Sequence, residues 1–370
     1  MKHQIILVGG QLLPVFVGIK EFSPDKIHFI ISEESKDKIE IIKAFFPLKS
    51  FSENLCNPFD ISSIRSACND ILAMTEKEDE IQFNLTSGTK IMLLAAYAFM
   101  QENNIDGFYI NPDNTILILP VFSLHGLSCE ITVKEFLDIS GHKITSLKSI
   151  HDIPEIDFIA AKEIALFADK GKDFETIIKY FRKNYNDNGL KVPKTGCLTI
   201  DNLIDFKWNK SEVTAEKNEK IIFHANSNNI RGVFFNSAWW ELIVAEEISK
   251  WSKIKELYIQ FELPFKVDTS IPKNEIDILI NLGNKLIFIE CKSGAVKAED
   301  INKMRIIKDT YGGIISKSLL VSRFIPDKTI VEKCKELNID IFYSFDDRTL
   351  INPLSRLTES LDILQSKLTI

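Results

Sequence analysis

The tightest constraint on this chain is a pair of strands closed by Gly283-Asn284. Ile276–Leu282 (IDILINL) and Lys285–Cys291 (KLIFIEC) both alternate as strands, and a Gly-Asn pair between such runs closes a two-residue β-hairpin. That turn sets the register. Ile280 faces Ile287, Ile278 faces Ile289, Asp277 falls opposite Glu290, and Glu275 falls opposite Lys292. Strand alternation puts these last four on one face, and Ile276, Ile278, Ile280, Ile287, Ile289 and Cys291 on the other, as core. Two carboxylates directly opposite one another repel, at a cost of up to ~1 kcal/mol. A divalent cation reverses that sign, and oxygen-only ligands suit a hard ion such as Mg²⁺ or Mn²⁺. Lys292 projects into the same space, where it can hold a water or stabilise a charged phosphorane. A solvated hairpin face with an ordinary Glu–Lys pair accounts for the same residues equally well.

A helix upstream bears on that choice. Residues 236–251 (NSAWWELIVAEEISKW) have helical periodicity, with Glu246, Glu247 and Lys250 on one polar side. Glu241 lies opposite, in the apolar arc with Ala238, Leu242, Ala245 and Ile248. An ionised Glu facing a core is costly unless it is paired or bound to metal. Either the helix is half covered and Glu241 reaches water, or Glu241 points at the hairpin and completes an acidic cluster. Trp239, Trp240 and Trp251 read as core before they read as a base-stacking platform.

Helix Glu, then Asp, then Glu-x-Lys resembles the PD-(D/E)xK nuclease core. The resemblance implies Asp277 and Glu290 as metal ligands with Glu241 in support, and Lys292 as the catalytic lysine. Glu275 is a further carboxylate, and Lys303 or Arg305 is the polar residue offered by a later helix.

Composition sets the outer limits. With 370 residues, the chain is long enough for two domains with their own cores. No apolar run approaches the ~18 residues of a membrane span. Six cysteines are scattered without C-x-x-C spacing, which argues against zinc or a disulfide framework and fits a reducing cytoplasm. The net charge of −7 falls wholly within residues 1–215, and residues 216–370 are neutral with 22 basic and 22 acidic side chains. A locally neutral half that includes the clustered carboxylates leaves lysines to line a nucleic-acid groove, with a marked salt dependence.

Residues 1–120 alternate short strands (4–8, 27–32, 81–85, 107–110, 115–119) with helices near 36–46, 61–77 and 90–102. That order predicts a mostly parallel α/β sheet with ligands at its carboxyl edge. Two loops lie there: Gly9-Gly10-Gln11, and Thr86-Ser87-Gly88-Thr89-Lys90 at the start of a helix. The second offers N–H groups, hydroxyls and a lysine to a phosphate, or is a plain helix cap. Neither a Walker A loop nor a G-x-G-x-x-G fingerprint is present.

Asn84-Leu85-Thr86-Ser87-Gly88-Thr89-Lys90-Ile91-Met92, followed by LLAAYAF, resembles the signature of CARF domains, the cyclic-oligoadenylate sensors of type III CRISPR systems. A CARF signature ahead of E…D…E-x-K is similar to the activator-gated CARF nucleases, and Gly232-Val233-Phe234-Phe235 before the Glu241 helix fits that order. Residues 150–230 carry no matching motif, and Arg305 stands where a glutamine is expected. The resemblance implies an α/β chain with a Rossmann-like CARF domain (1–145), a helical connector (146–215) and a restriction-endonuclease-like α/β domain (216–370). It implies a homodimer that binds cyclic tetra-adenylate through Gly9, Gly10, Gln11, Thr86, Ser87, Gly88, Thr89 and Lys90. Activation then leads to Mg²⁺- or Mn²⁺-dependent cleavage of single-stranded RNA or DNA, with nicking of duplex DNA also open. CARF domains also occur in non-catalytic regulators, which is the alternative for this chain.

Overall fold

The computed structural model describes residues 1–111, 115–142, 144, 147–185, 189–264, 272–312, 316–347 and 349–366. Its N-terminal sheet is built from β1 (Lys2–Leu7), β2 (Lys26–Ile31), β3 (Ser50–Leu55), β4 (Glu80–Asn84), β5 (Asp106–Ile110), β6 (Thr115–Leu119) and β7 (Ser123–Gly126). The helices are α1 (Leu13–Phe22), α2 (Lys36–Phe45), α3 (Ile61–Leu72), α4 (Lys90–Glu102) and α5 (Val133–Ile139). The strand order is β3-β2-β1-β4-β5-β6-β7, parallel as far as β5 and antiparallel beyond it. Helices cover both faces, so β1 and β2 are almost entirely buried and read as unbroken apolar runs. Helix α1 was not foreseen, because LPVFVGIKEF has no polar stripe to mark a helix. Pro14 opens it, where its fixed φ suits the first turn. Gly18 lets it lie on the sheet: a Cβ there would stand 2.3 Å from Asn84 Nδ2.

At the amino ends of the strands, His3 and His28 stack and share a 2.8 Å hydrogen bond, and His28 Nδ1 meets Ser52 Oγ at 2.7 Å. Burial pushes the His28 imidazole down to about 4. A depressed histidine contributes stability that is present above its unfolded pKa of ~6.5 and is lost as pH falls towards 4. The melting temperature should therefore fall across that window more steeply in the wild type than in His28→Gln. Equal slopes would show that His28 is not buried neutral.

The middle of the chain carries α6 (Glu155–Asp169) and α7 (Lys172–Asn184), which break at Gly171 (φ +91°). An antiparallel sheet follows, β8 (Gly196–Ile200), β9 (Ile204–Trp208), β10 (Glu212–Lys217) and β11 (Lys220–Asn226), in the order β11-β10-β9-β8. The segment read as a helical connector thus carries strands as well as helices, and the boundary drawn at 215/216 falls inside β10. The reason is packing. Phe206, Trp208, Val213, Phe223 and the inner face of α6 share one core with the next helix and sheet.

Those are α8 (Ala238–Ile248) and a sheet of β12 (Glu256–Pro264), β13 (Pro272–Asn281), β14 (Leu286–Lys292), β15 (Lys317–Phe324), β16 (Asp340–Asp346) and β17 (Thr349–Leu350), in that order. Helices α9 (Ala298–Ile307), α10 (Lys328–Glu336) and α11 (Leu357–Ser366) complete the chain. On one face of the sheet, Ile278, Ile280, Ile287, Ile289 and Cys291 pack with α8. On the other, Phe261, Leu263, Leu279, Leu286 and Phe288 pack with Phe16, Phe108, Ile131 and Phe136 of the N-terminal part. Ile276, expected with Ile278, belongs to this second core. At Gln260 the backbone takes φ +49° and the ladder skips the Gln260–Asp277 pair. Beyond that kink, Phe261 and Ile276 turn to the other side. Among the described residues no helix is long and apolar enough to cross a membrane.

Candidate active site and candidate ligand site

Gly283 adopts φ +99° at the first central position of the hairpin turn, where a type II′ turn needs glycine. The pairs Ile278–Ile289, Ile280–Ile287 and Asn281–Leu286 form in the register read from the sequence. One step further the ladder ends. The Asp277 carboxylate takes its place, with Oδ2 accepting the Cys291 N–H at 2.7 Å. Asp277 (9% exposed) and Glu290 (4% exposed) are both buried there, and the Glu290 charge bears on Asp277.

Glu241 comes from the first turn of α8, and its charge acts on Asp277. Burial raises its carboxyl to about 7, and the charges of Glu275 and Glu290 add to the shift. Burial also lifts Asp277 well above the usual carboxylate range, with Glu290 and Glu241 contributing. Asp277 therefore senses both other carboxylates, as expected of clustered acids. Lys292 Nζ lies 2.8 Å from Glu290 Oε1 and 3.2 Å from Asp300 Oδ1. Burial opposes the Lys292 charge, yet Glu290 outweighs it and the ammonium is held charged, its pKa raised. Of the two late-helix candidates, Lys303 reaches Glu290 Oε2 at 3.5 Å, while Arg305 turns away to Asp309 and the Leu337 carbonyl. The three tryptophans are buried, so they serve the core: Trp240 Nε1 donates to the Val321 carbonyl and Trp251 Nε1 to Asp362.

Sequence reasoning missed Gln260. Its Nε2 donates to Glu241 Oε2 at 3.3 Å, an aim that depends on the φ +49° kink. Only an αL-prone residue would have signalled that kink in the sequence. Among the described residues, no three His, Cys, Asp or Glu side chains close on a single point, because both Glu290 oxygens face lysines. The three carboxylates offer oxygen donors, the chemistry that a hard divalent cation takes.

The second site lies at the carboxyl edge of the N-terminal sheet, between β1 and β4. There the strand order reverses, the usual place for a ligand in such sheets. The two loops touch. Gly9 N–H donates to Ser87 Oγ at 3.0 Å, and Ser87 Oγ donates to the Gln11 carbonyl at 3.2 Å. The approach is close enough that a Cβ on Gly9 would stand 2.6 Å from Gly88 N. Thr86 Oγ1 accepts from Ile110 N–H at 2.9 Å. Thr89 caps α4 through Met92 N–H and donates to the Pro58 carbonyl. Ser87 is thus spent on joining the loops and Thr89 on the cap, whereas Gly10, Gln11 and Lys90 are exposed. A cavity of about 510 Å³ opens beside them, lined by Gln11, Thr86, Tyr109, Asn111 and, from the C-terminal part, Tyr311.

Residues 4–136 match the family model of the Card1 CARF domain, and residues 228–350 match that of the Card1-like endonuclease domain. No curated protein matches the chain. In fold it is similar to Can2 from Sulfobacillus thermosulfidooxidans, solved in complex with cyclic tetra-adenylate (TM-score 0.70, 22% identity, covering 99% of each chain). It is also similar to protein VC1899 from Vibrio cholerae (TM-score 0.70, 14% identity, covering 99% of this chain and 98% of that one). A type III CRISPR defence DNA nuclease activated by cyclic oligoadenylate resembles it too (TM-score 0.59, 15% identity, covering 97% of this chain and 51% of that one). Carrying both domain models in this order, the chain belongs to the CARF nucleases of the Card1 type, a CARF domain followed by an endonuclease domain.

Proposed function

We propose that this nuclease is switched on by cyclic tetra-adenylate and hydrolyses phosphodiesters of single-stranded RNA or DNA with Mg²⁺ or Mn²⁺. The observation that carries the reading is the pairing, in one chain, of the Gly9/Gly88 loop contact with the Asp277–Glu290–Lys292 cluster. Can2, which shares the fold, binds cyclic tetra-adenylate. A two-fold symmetric ring suits a homodimer whose subunits offer it the same loops. Leu55, Phe59, Ile61 and Leu94, near that edge of the sheet, are more than half exposed, as a surface covered by a second copy would be.

Asp277 and Glu290, supported by Glu241, would hold the cation, which supplies Lewis acidity and an activated water. Lys292 orients the attacking water and offsets negative charge gathering on the phosphate. Lys303 neutralises Glu290 from the far side. Gly10, Gln11 and Lys90 contact the activator, while Ser87, Gly88 and Thr89 hold the loops in shape and Thr86 keeps its hydroxyl proton free for a phosphate or ribose.

The test is cleavage of labelled single-stranded RNA and DNA with Mn²⁺, with and without cyclic tetra-adenylate. Cutting only with the activator supports both halves of the reading. Cutting without it removes the gate, and ring binding without cutting makes the chain a non-catalytic sensor. Gly9→Ala should weaken ring binding at least about tenfold, since the loops must part; each such decade is ~1.4 kcal/mol. Unchanged affinity by calorimetry would move the ligand away from these loops.

A further inference from the structure

We propose that Gln260 and Lys148 are positioning residues for Glu241, and that through them the segment joining sensor to nuclease adjusts the catalytic carboxylates. The proposal rests on the reading of Asp277, Glu290 and Glu241 as a metal site.

Gln260 holds a conformation that a strand residue rarely adopts, φ +49° between the paired residues Ile259 and Phe261. Such an outlier persists only where its surroundings enforce it, and it points to function. Here it turns the amide out of the ladder toward Glu241, with Nε2 3.3 Å from Oε2. An ionised carboxylate accepts only, so the NH₂ side of the amide must face it. The other side is fixed by Lys148, whose Nζ donates to Gln260 Oε1 at 3.4 Å. Lys148 and Gln260 thus form a directional chain that ends on Glu241.

The origin of Lys148 gives the chain its second meaning. It lies between α5 and α6, on the segment that leaves the CARF part. This segment runs against β12: Ile259 N–H donates to the Lys148 carbonyl at 2.9 Å, and Ser149 bridges Tyr258 in antiparallel fashion. Just upstream, His142 Nε2 lies 3.0 Å from the Thr310 carbonyl and its ring meets Tyr311 edge-on at 4.6 Å. The Tyr311 turn follows directly on α9, the helix that aims Lys303 at Glu290. His142 therefore reaches the turn that follows α9, and Lys148 reaches Gln260. Both bonds in the Gln260 chain are long, so a small shift of this segment makes or breaks them.

The experiment uses full-length wild type, Gln260→Ala, Lys148→Ala, Lys148→Arg and the double alanine variant. Calorimetry measures cyclic tetra-adenylate binding, and then Mn²⁺ binding to the activator-loaded protein without nucleic acid. Cleavage is followed separately. Partners that orient metal-binding carboxylates cost about tenfold or more in metal affinity when removed. Both single alanine variants should lose Mn²⁺ affinity by about that factor while binding the ring as the wild type does. Lys148→Arg should restore most of the loss. The double variant should be no worse than Gln260→Ala, as residues of one chain are not additive. Unchanged Mn²⁺ affinity, or losses that multiply in the double variant, would overturn the proposal. If Gln260→Ala does not fold, Gln260→Asn replaces it, because asparagine tolerates positive φ while its amide falls short of Glu241. A wild type that binds no Mn²⁺ overturns the metal reading itself, an outcome told apart because the unaltered protein is then silent.

Discussion

Lys292→Ala is expected to reduce cleavage by roughly 10³-fold, the scale of losing one preorganised charge at a reacting centre, while ring binding stays intact. Lys292 Nζ sits between Glu290 and Asp300 at 2.8 and 3.2 Å, on the open side of the acidic face. Lys303 approaches the second Glu290 oxygen from α9, at 3.5 Å. Folding should survive the change, because Glu290 keeps Lys303, and the loss of stability should be limited to roughly 1–3 kcal/mol for a weakened buried acceptor. Lys292→Arg should not rescue cleavage, since a planar fork cannot replace a compact ammonium. Single-turnover cleavage of labelled RNA and DNA, read beside a thermal melt, decides the matter. A variant that folds, binds the ring and still cuts would place the chemistry elsewhere.

Asp277→Asn should abolish cleavage and yet stabilise the metal-free protein. Asp277 is buried, and the charges of Glu290 and Glu241 push against its own. Asparagine keeps an oxygen for the Cys291 N–H, which the carboxylate now receives at 2.7 Å, and it removes the charge. The pH dependence follows from the raised carboxyls. A group whose folded pKa lies above its unfolded value contributes stability below the unfolded pKa and loses it as pH rises through the folded one. For Glu241 that window runs from the ordinary glutamate value up to about 7. Asp277 is raised well above the carboxylate range as well, so in chelator the gain from Asp277→Asn should grow as pH rises above that range and shrink as pH falls back into it. Excess Mn²⁺ should raise the melting temperature of the wild type and leave the variant nearly unmoved, because a ligand stabilises only the state that binds it. A variant less stable than the wild type at pH 8 would show that Asp277 is a structural acid.

Much of both sites was legible because turn chemistry and periodicity act locally. Gly283-Asn284 set the register of β13 and β14 up to Ile278–Ile289, which leaves Asp277 and Glu290 next along the two strands. Helical phase alone singled out Glu241 from Glu246 and Glu247. Loop composition marked Gly9 and Gly88, whose near-contact requires glycine. The rest depends on tertiary packing. Gln260 departs from strand geometry without the glycine or asparagine that would announce it, and this hid both its own role and the switch of Ile276 to the other core. The four-stranded sheet of residues 196–226 was obscured by polar, half-exposed strands, whose inner residues become core only once α6, α7 and Phe234 lie against them.

Phe261, Leu279 and Phe288 share a core with Phe16, Phe108 and Phe136, and the hairpin turn itself is tied to the sensor: Ile131 N–H donates to the Gly283 carbonyl, and Asn281 Nδ2 donates to the Ile131 carbonyl at 2.6 Å. Reader and cutter are therefore not interchangeable parts on a string. Any exchange of one half among relatives has to carry Ile131–Ile139 and its partners on the hairpin together, so the two halves should be inherited, and engineered, as one piece.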